Sequence, residues 1–278
     1  MRIPPLPLTP LTPLLPLLRS TVLELAVLFG HLMLYPAGMR PERPEPLTLD
    51  GPRPESEATP EFLTPAADRP PVVLLHGFVD NRSVFVLLRR SLARHGWRHL
   101  TSLNYSPLTC DLRTAAELLA RHIEDICART GHTRVDVVGH SLGGLIARYY
   151  TQRLGGDTRV RTLVTLGTPH EGTRVAPPMS AHPLVRQMRP GSSVIAELAL
   201  PAPGCRTRFV SFWSDLDQIM VPVETACLHH PDLVAENVQV SGIGHLALPV
   251  HPAVAATIRQ VLQASDAAAA STTGVSVA

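Results

Sequence analysis

Between residues 71 and 264, short apolar runs alternate with amphipathic stretches, which confines the chain to a parallel sheet covered by helices on both faces. Strand-like segments fall at 72–76, 99–104, 135–138, 160–166, 207–212 and 237–240. Helical spacing occupies 83–95, 112–129, 142–154 and 253–263. The expected fold class is therefore α/β, a mostly parallel, doubly wound sheet in one domain over 71–264. Functional groups in such sheets collect just beyond the C-terminal ends of the strands.

The flanks read differently. Residues 1–35 form an apolar segment, opening with Pro and Leu and continuing from Thr21 to Tyr35, where Glu24 and His31 interrupt the run. A spanning helix needs about 20 apolar residues. The start also lacks the basic region and small-residue cleavage site of a good leader peptide. Three readings stay open: a helix lying on a membrane surface through residues 14–35, an atypical export or anchor segment, and a helix packed on the domain. The first two make the protein membrane-associated or exported. Residues 36–70 carry proline every few positions among charged residues and read as a linker. Residues 265–278 lack apolar periodicity and read as a flexible tail.

Composition narrows the partners. The net charge is +2 and no dense basic run occurs, so nucleic acid is not an expected partner. The four cysteines have no C-x-x-C spacing, so neither a zinc site nor a dithiol motif is expected. Cys110 and Cys127 bracket a predicted helix and would be roughly 25 Å apart. That leaves Cys205 with Cys227 as the better disulfide candidate.

The chemistry starts at Gly139-His140-Ser141-Leu142-Gly143, a G-x-S-x-G pattern between a predicted strand and a predicted helix. Ser141 would sit on a strained strand-to-helix turn, its hydroxyl exposed as a nucleophile. A base and an acid are needed to activate it. After the strand near 207–212 come Asp215 and Asp217, and Asp217 precedes the apolar anchor Ile219-Met-Val-Pro222, whereas Asp215 suits a turn cap. After the strand near 237–240 comes His245, behind Ser241-Gly-Ile-Gly244 and ahead of the last helix. Oxyanion donors are expected from the backbone N–H of Leu142 and of Phe78, the latter in His76-Gly77-Phe78 beyond the first strand. His76 would position that loop.

These pieces, with Leu166-Gly-Thr-Pro-His-Glu-Gly-Thr173, together resemble the α/β-hydrolase superfamily and, within it, bacterial lipases and esterases. The resemblance implies the α/β-hydrolase fold with a short cap at about 173–203, including a helix near 192–200, that acts as a mobile lid or a static loop. It implies the catalytic order Ser141, Asp217, His245, no cofactor or metal, and an acyl-enzyme route on lipid or other esters. The same constellation also acts on thioesters and amides, and such a fold can serve as a ligand-binding protein without turnover.

Overall fold

The computed structural model describes residues 14–38, 69–78, 80–105, 111–177 and 179–273. Cys110, most of the expected linker and the last five residues lie outside them.

The chain enters as helix α1 (Leu14–Gly38), then alternates: β1 (Val72–Leu75), α2 (Val86–Arg94), β2 (Leu100–Leu103), α3 (Leu112–Thr130), β3 (Val135–His140), α4 (Leu142–Arg153), β4 (Val160–Leu166), α5 (Pro183–Gln187), α6 (Ser193–Ala199), β5 (Arg208–Ser214), β6 (Val234–Val240) and α7 (Pro252–Thr273). The six strands are ordered β2-β1-β3-β4-β5-β6 and every pairing is parallel. The expected doubly wound sheet is what forms. Because β1 has β2 on one side and β3 on the other, the strand order reverses between β1 and β3, and a crevice opens beyond their C-terminal ends.

Alternation along each strand sends side chains to two separate cores. Val73, Val137 and Leu163 face α3 and α4, whereas Val72, Val138 and Phe212 face α2 and α7. Each fully buried side chain of this kind contributes about 1.5–3 kcal/mol. Helix ends are signalled locally. Asp111 caps α3 by accepting from the Thr114 N–H at 2.8 Å, and Gly131 closes it in the left-handed region.

Three expectations change. Cys205 and Cys227 are both free, so the disulfide weighed for them is absent. Helix α7 runs to Thr273, through most of the stretch expected to be a flexible tail, because an alanine run has high helix propensity even without an apolar stripe. Within 173–203, the expected helix is α6, with Ser192 as its N-cap, but α5 precedes it, too short to show periodicity.

That cap is tied down. The buried Arg148 of α4 donates to the Leu198 carbonyl at 3.0 Å and to the His170 carbonyl at 3.0 Å. Tyr149 donates to Glu197 at 2.6 Å, and Arg113 of α3 pairs with the same carboxylate. Desolvation lowers the Arg148 guanidinium to about 9, yet its carbonyl partners fix it between helix and cap. These contacts tie α6 to α3 and α4.

Candidate active site

Ser141 follows β3 and adopts φ 52°, ψ −120°, the only positive φ outside glycine among the described residues. Such a backbone costs about 1–3 kcal/mol and persists only where neighbours hold it. Here they do: the Ser141 N–H donates to the Leu166 carbonyl at 2.9 Å, and the Ser141 carbonyl accepts from the Thr168 hydroxyl at 3.0 Å. Gly143 is required for packing, since a Cβ there would run into the carbonyl oxygens of Leu75 and His76. The sharp turn thus brings the start of α4 against the end of β1.

The loop after β1 closes over the serine. A Cβ on Gly77 would lie 3.4 Å from the Ser141 Cβ, so the Gly77-Phe78 backbone lies beside the nucleophile candidate. His76 stacks on Tyr105 with ring centres 4.4 Å apart, and the Tyr105 hydroxyl donates to the His76 carbonyl at 2.6 Å. Burial lowers the His76 imidazole below its usual range, so it serves as a neutral prop for this loop. Leu142 is the first residue of α4, where unpaired amides and the helix dipole favour negative charge.

The other two residues come from the loops after β5 and β6. Nδ1 of His245 is 2.7 Å from Oδ2 of Asp217, while Oδ1 of Asp217 accepts the Ile219 and Met220 N–H groups at 2.8 and 2.9 Å. A carboxylate can only accept, so Nδ1 carries the proton and Nε2 remains as a base. Burial alone would raise the Asp217 carboxyl, but the facing His245 and the two amides hold it below its ordinary value. Burial pulls the His245 imidazole down, and Asp217 outweighs it by charge and hydrogen bond, lifting it above its ordinary value. Asp215 is exposed and, among the described residues, accepts only from the Gly242 N–H, at 3.4 Å.

Gly77, Phe78, Ser141, Val185, Met188 and His245 share the walls of one cavity of about 250 Å³. Asp217 sits behind His245, outside that lining. His170, next to the same sheet edge, is buried; desolvation and then the nearby Arg148 drive its imidazole well below the usual range, and its Nε2 lies 3.0 Å from the Thr165 hydroxyl. It braces the sheet edge and does not face the cavity.

Sequence reasoning missed two carboxylates. Asp80 faces Nδ1 of His140 at 3.3 Å and Nδ1 of His31, on α1, at 3.6 Å. Burial opposes its ionisation, but the hydrogen bond and charge of His140 hold it below the usual range. Glu24 of α1 accepts the N–H groups of Leu246 and Ala247 at 2.9 and 3.0 Å, immediately after His245. An isolated acid in a loop and another in an apolar run carry no local signal. The only hint was the glycine at 244, where a Cβ would lie 2.5 Å from the Glu24 carboxyl carbon.

Residues 70–194 match a family profile described as the alpha/beta hydrolase fold. The chain is 31% identical over 120 residues to a triacylglycerol lipase of Pseudarthrobacter phenanthrenivorans, covering 41% of this chain and 37% of that protein. It is equally similar, 31% over 120 residues, to a triacylglycerol lipase of Burkholderia plantarii, covering 41% of this chain and 33% of that one. The match thus spans about a third of the length of these curated relatives. Among solved structures, the mature lipase BlEst2 of Bacillus licheniformis superposes with a TM-score of 0.61 at 16% identity, over 71% of this chain and 94% of that one.

Proposed function

We propose that this chain, a member of the α/β-hydrolase fold family, is a serine hydrolase that cleaves carboxylic esters, lipid esters above all, through an acyl-enzyme. The observation that carries the reading is the Asp217–His245 pair, with three hydrogen bonds on the carboxylate and with His245 lining the same cavity as the strained Ser141.

In this reading, Ser141 Oγ attacks the acyl carbonyl while His245 Nε2 takes its proton. The N–H groups of Phe78 and Leu142 hold the oxyanion of the tetrahedral intermediate, each worth roughly 10²–10³ in turnover. His245 then protonates the departing alkoxide, leaving the acyl group on Ser141. Water, deprotonated by His245, attacks the acyl-enzyme, and His245 returns that proton to Ser141 Oγ as the acid is released. Asp217 orients the imidazole and stabilises its charged form without taking the proton.

Membrane contact is the second part of the reading. Ser20, Glu24, Val27 and His31 share the face of α1 turned to the domain, while Leu18, Val22, Phe29 and Met33 are exposed on the other. A helix with polar groups inward and apolar groups outward is matched to a hydrocarbon surface rather than to water. We infer that α1 lies on a bilayer and holds the site near lipid esters.

Labelling with a fluorophosphonate and mapping the modified peptide tests the core reading. Modification is expected on Ser141, with a loss of about 10⁶ in kcat in Ser141→Ala. Label on another serine, or full activity in the alanine variant, overturns it.

A further inference from the structure

We propose that the groove between α1 and the loops after β5 and β6 binds the hydrocarbon chain of the acyl group, so that α1 is a wall of the acyl site and not only an anchor. This rests on the ester-hydrolase reading given above.

The groove has a volume of about 570 Å³, within the ~300–1,000 Å³ usual for small-molecule sites. Its apolar lining comes from three directions: Leu25, Leu28 and Leu32 of α1, Leu216 and Ile219 of the loop carrying Asp217, and Leu246 next to His245. It adjoins the Ser141 cavity: Asp80, Ile219, His245 and Leu246 line both. In this proposal a chain whose carbonyl carbon stands at Ser141 runs past Ile219 and Leu246 into the groove.

The occupant follows from the walls. Two carboxylates reach the groove and both are engaged, Glu24 with the Leu246 and Ala247 amides and Asp80 facing His140 and His31. They repel a phosphate or a second carboxylate and leave a lining suited to an uncharged alkyl chain. Leu25, Leu28 and Leu32 are each about half exposed or more, so the groove opens along the apolar face of α1. A chain drawn from a bilayer beneath that face enters without passing through water.

The test compares p-nitrophenyl butyrate with p-nitrophenyl laurate, and ethyl with dodecyl fluorophosphonate, on the full-length chain. The variants are Leu28→Trp, which fills the groove, Leu28→Asp, which puts a charge in it, and Leu32→Trp as a second obstruction at an exposed position. Thermal melts verify that each is folded. The laurate-to-butyrate ratio of kcat/KM is expected to fall about tenfold in each variant, and the dodecyl-to-ethyl ratio of labelling rates to fall in parallel. Unchanged ratios in folded variants that still label at Ser141 overturn the groove and leave the catalytic reading standing. Absence of labelling by either probe in the wild type overturns the catalytic reading and the groove with it.

Discussion

Helices α4 and α1 both border the candidate site, and they are held there by opposite means. Every residue of α4 from Leu142 to Thr151 is buried, enclosed by the sheet, α3 and the cap, so its position follows from apolar packing and from the turn at Ser141. Helix α1 touches the domain along one narrow face, through Glu24, His31 and the hydrogen bond from the Asn81 side-chain amide to the Tyr35 carbonyl, 2.8 Å long. The elbow is positioned by the core. The α1 wall is positioned by a few polar contacts, and its outward side chains are apolar and exposed. Rigidity on one side and dependence on surroundings on the other is the division of labour that the variants below can break.

The largest effect belongs on the rigid side. Asp217→Asn keeps the shape of the loop but removes the charge that fixes the His245 tautomer, and kcat is expected to fall by about 10⁴. Asp215→Asn, outside the cavity, is expected to stay within about twofold. Steady-state kinetics on one ester reads both, and a reversal of the two results would hand the acid role to Asp215.

The same division governs what the sequence discloses. The places of Ser141, Asp217 and His245 just beyond β3, β5 and β6 could be read from the sequence because each lies beside glycines or an apolar anchor that turn the chain. Those are local demands on φ and ψ, and they leave local marks. Glu24 left none. Its partners lie 222 and 223 residues further on, so within its own segment it reads only as a blemish in an apolar run. His31 and Asp80 fail for the same reason, since their meeting depends on α1 folding back over the first βα loop. Helix α6 was visible through Ser192, whereas α5, at five residues, has too few positions for a period to appear. The free Cys205 and Cys227 teach a related lesson: excluding one pairing by helix length does not create another.

On the dependent side, the outward face of α1 carries the next largest effect. Phe29 is 63% exposed and lines neither cavity. If that face lies in lipid, burying one such side chain stabilises the bound state by about 1.5–3 kcal/mol. Phe29→Glu is then expected to weaken partitioning onto phosphatidylglycerol–phosphatidylcholine vesicles by roughly 10–100-fold, with hydrolysis of a soluble short ester unaltered. Vesicle sedimentation reads the first and a p-nitrophenyl butyrate assay the second. Equal partitioning of wild type and variant would return α1 to the role of a helix merely packed on the domain.

The smallest effect is the most diagnostic, because Glu24 joins the two sides. In Glu24→Gln one carboxylate oxygen becomes an NH₂ group, which cannot accept from a backbone amide, so one of the two N–H groups after His245 loses its partner. An unsatisfied amide of this kind costs about 1–3 kcal/mol and should appear as a lower Tm. A purely structural role would end there. Glu24 also adds to the negative charge that raises the His245 imidazole, after the larger contribution of Asp217. A base acts when neutral, so kcat/KM rises with pH through the imidazole pKa, and in the wild type that limb should lie above the ordinary histidine value of about 6.5. Removing the Glu24 charge makes the imidazolium easier to deprotonate, which moves the limb toward lower pH while kcat/KM at its plateau falls only a few-fold. A variant with a lower Tm and an unmoved limb would confine Glu24 to holding the helix, and α1 would then have no electrostatic part in the chemistry.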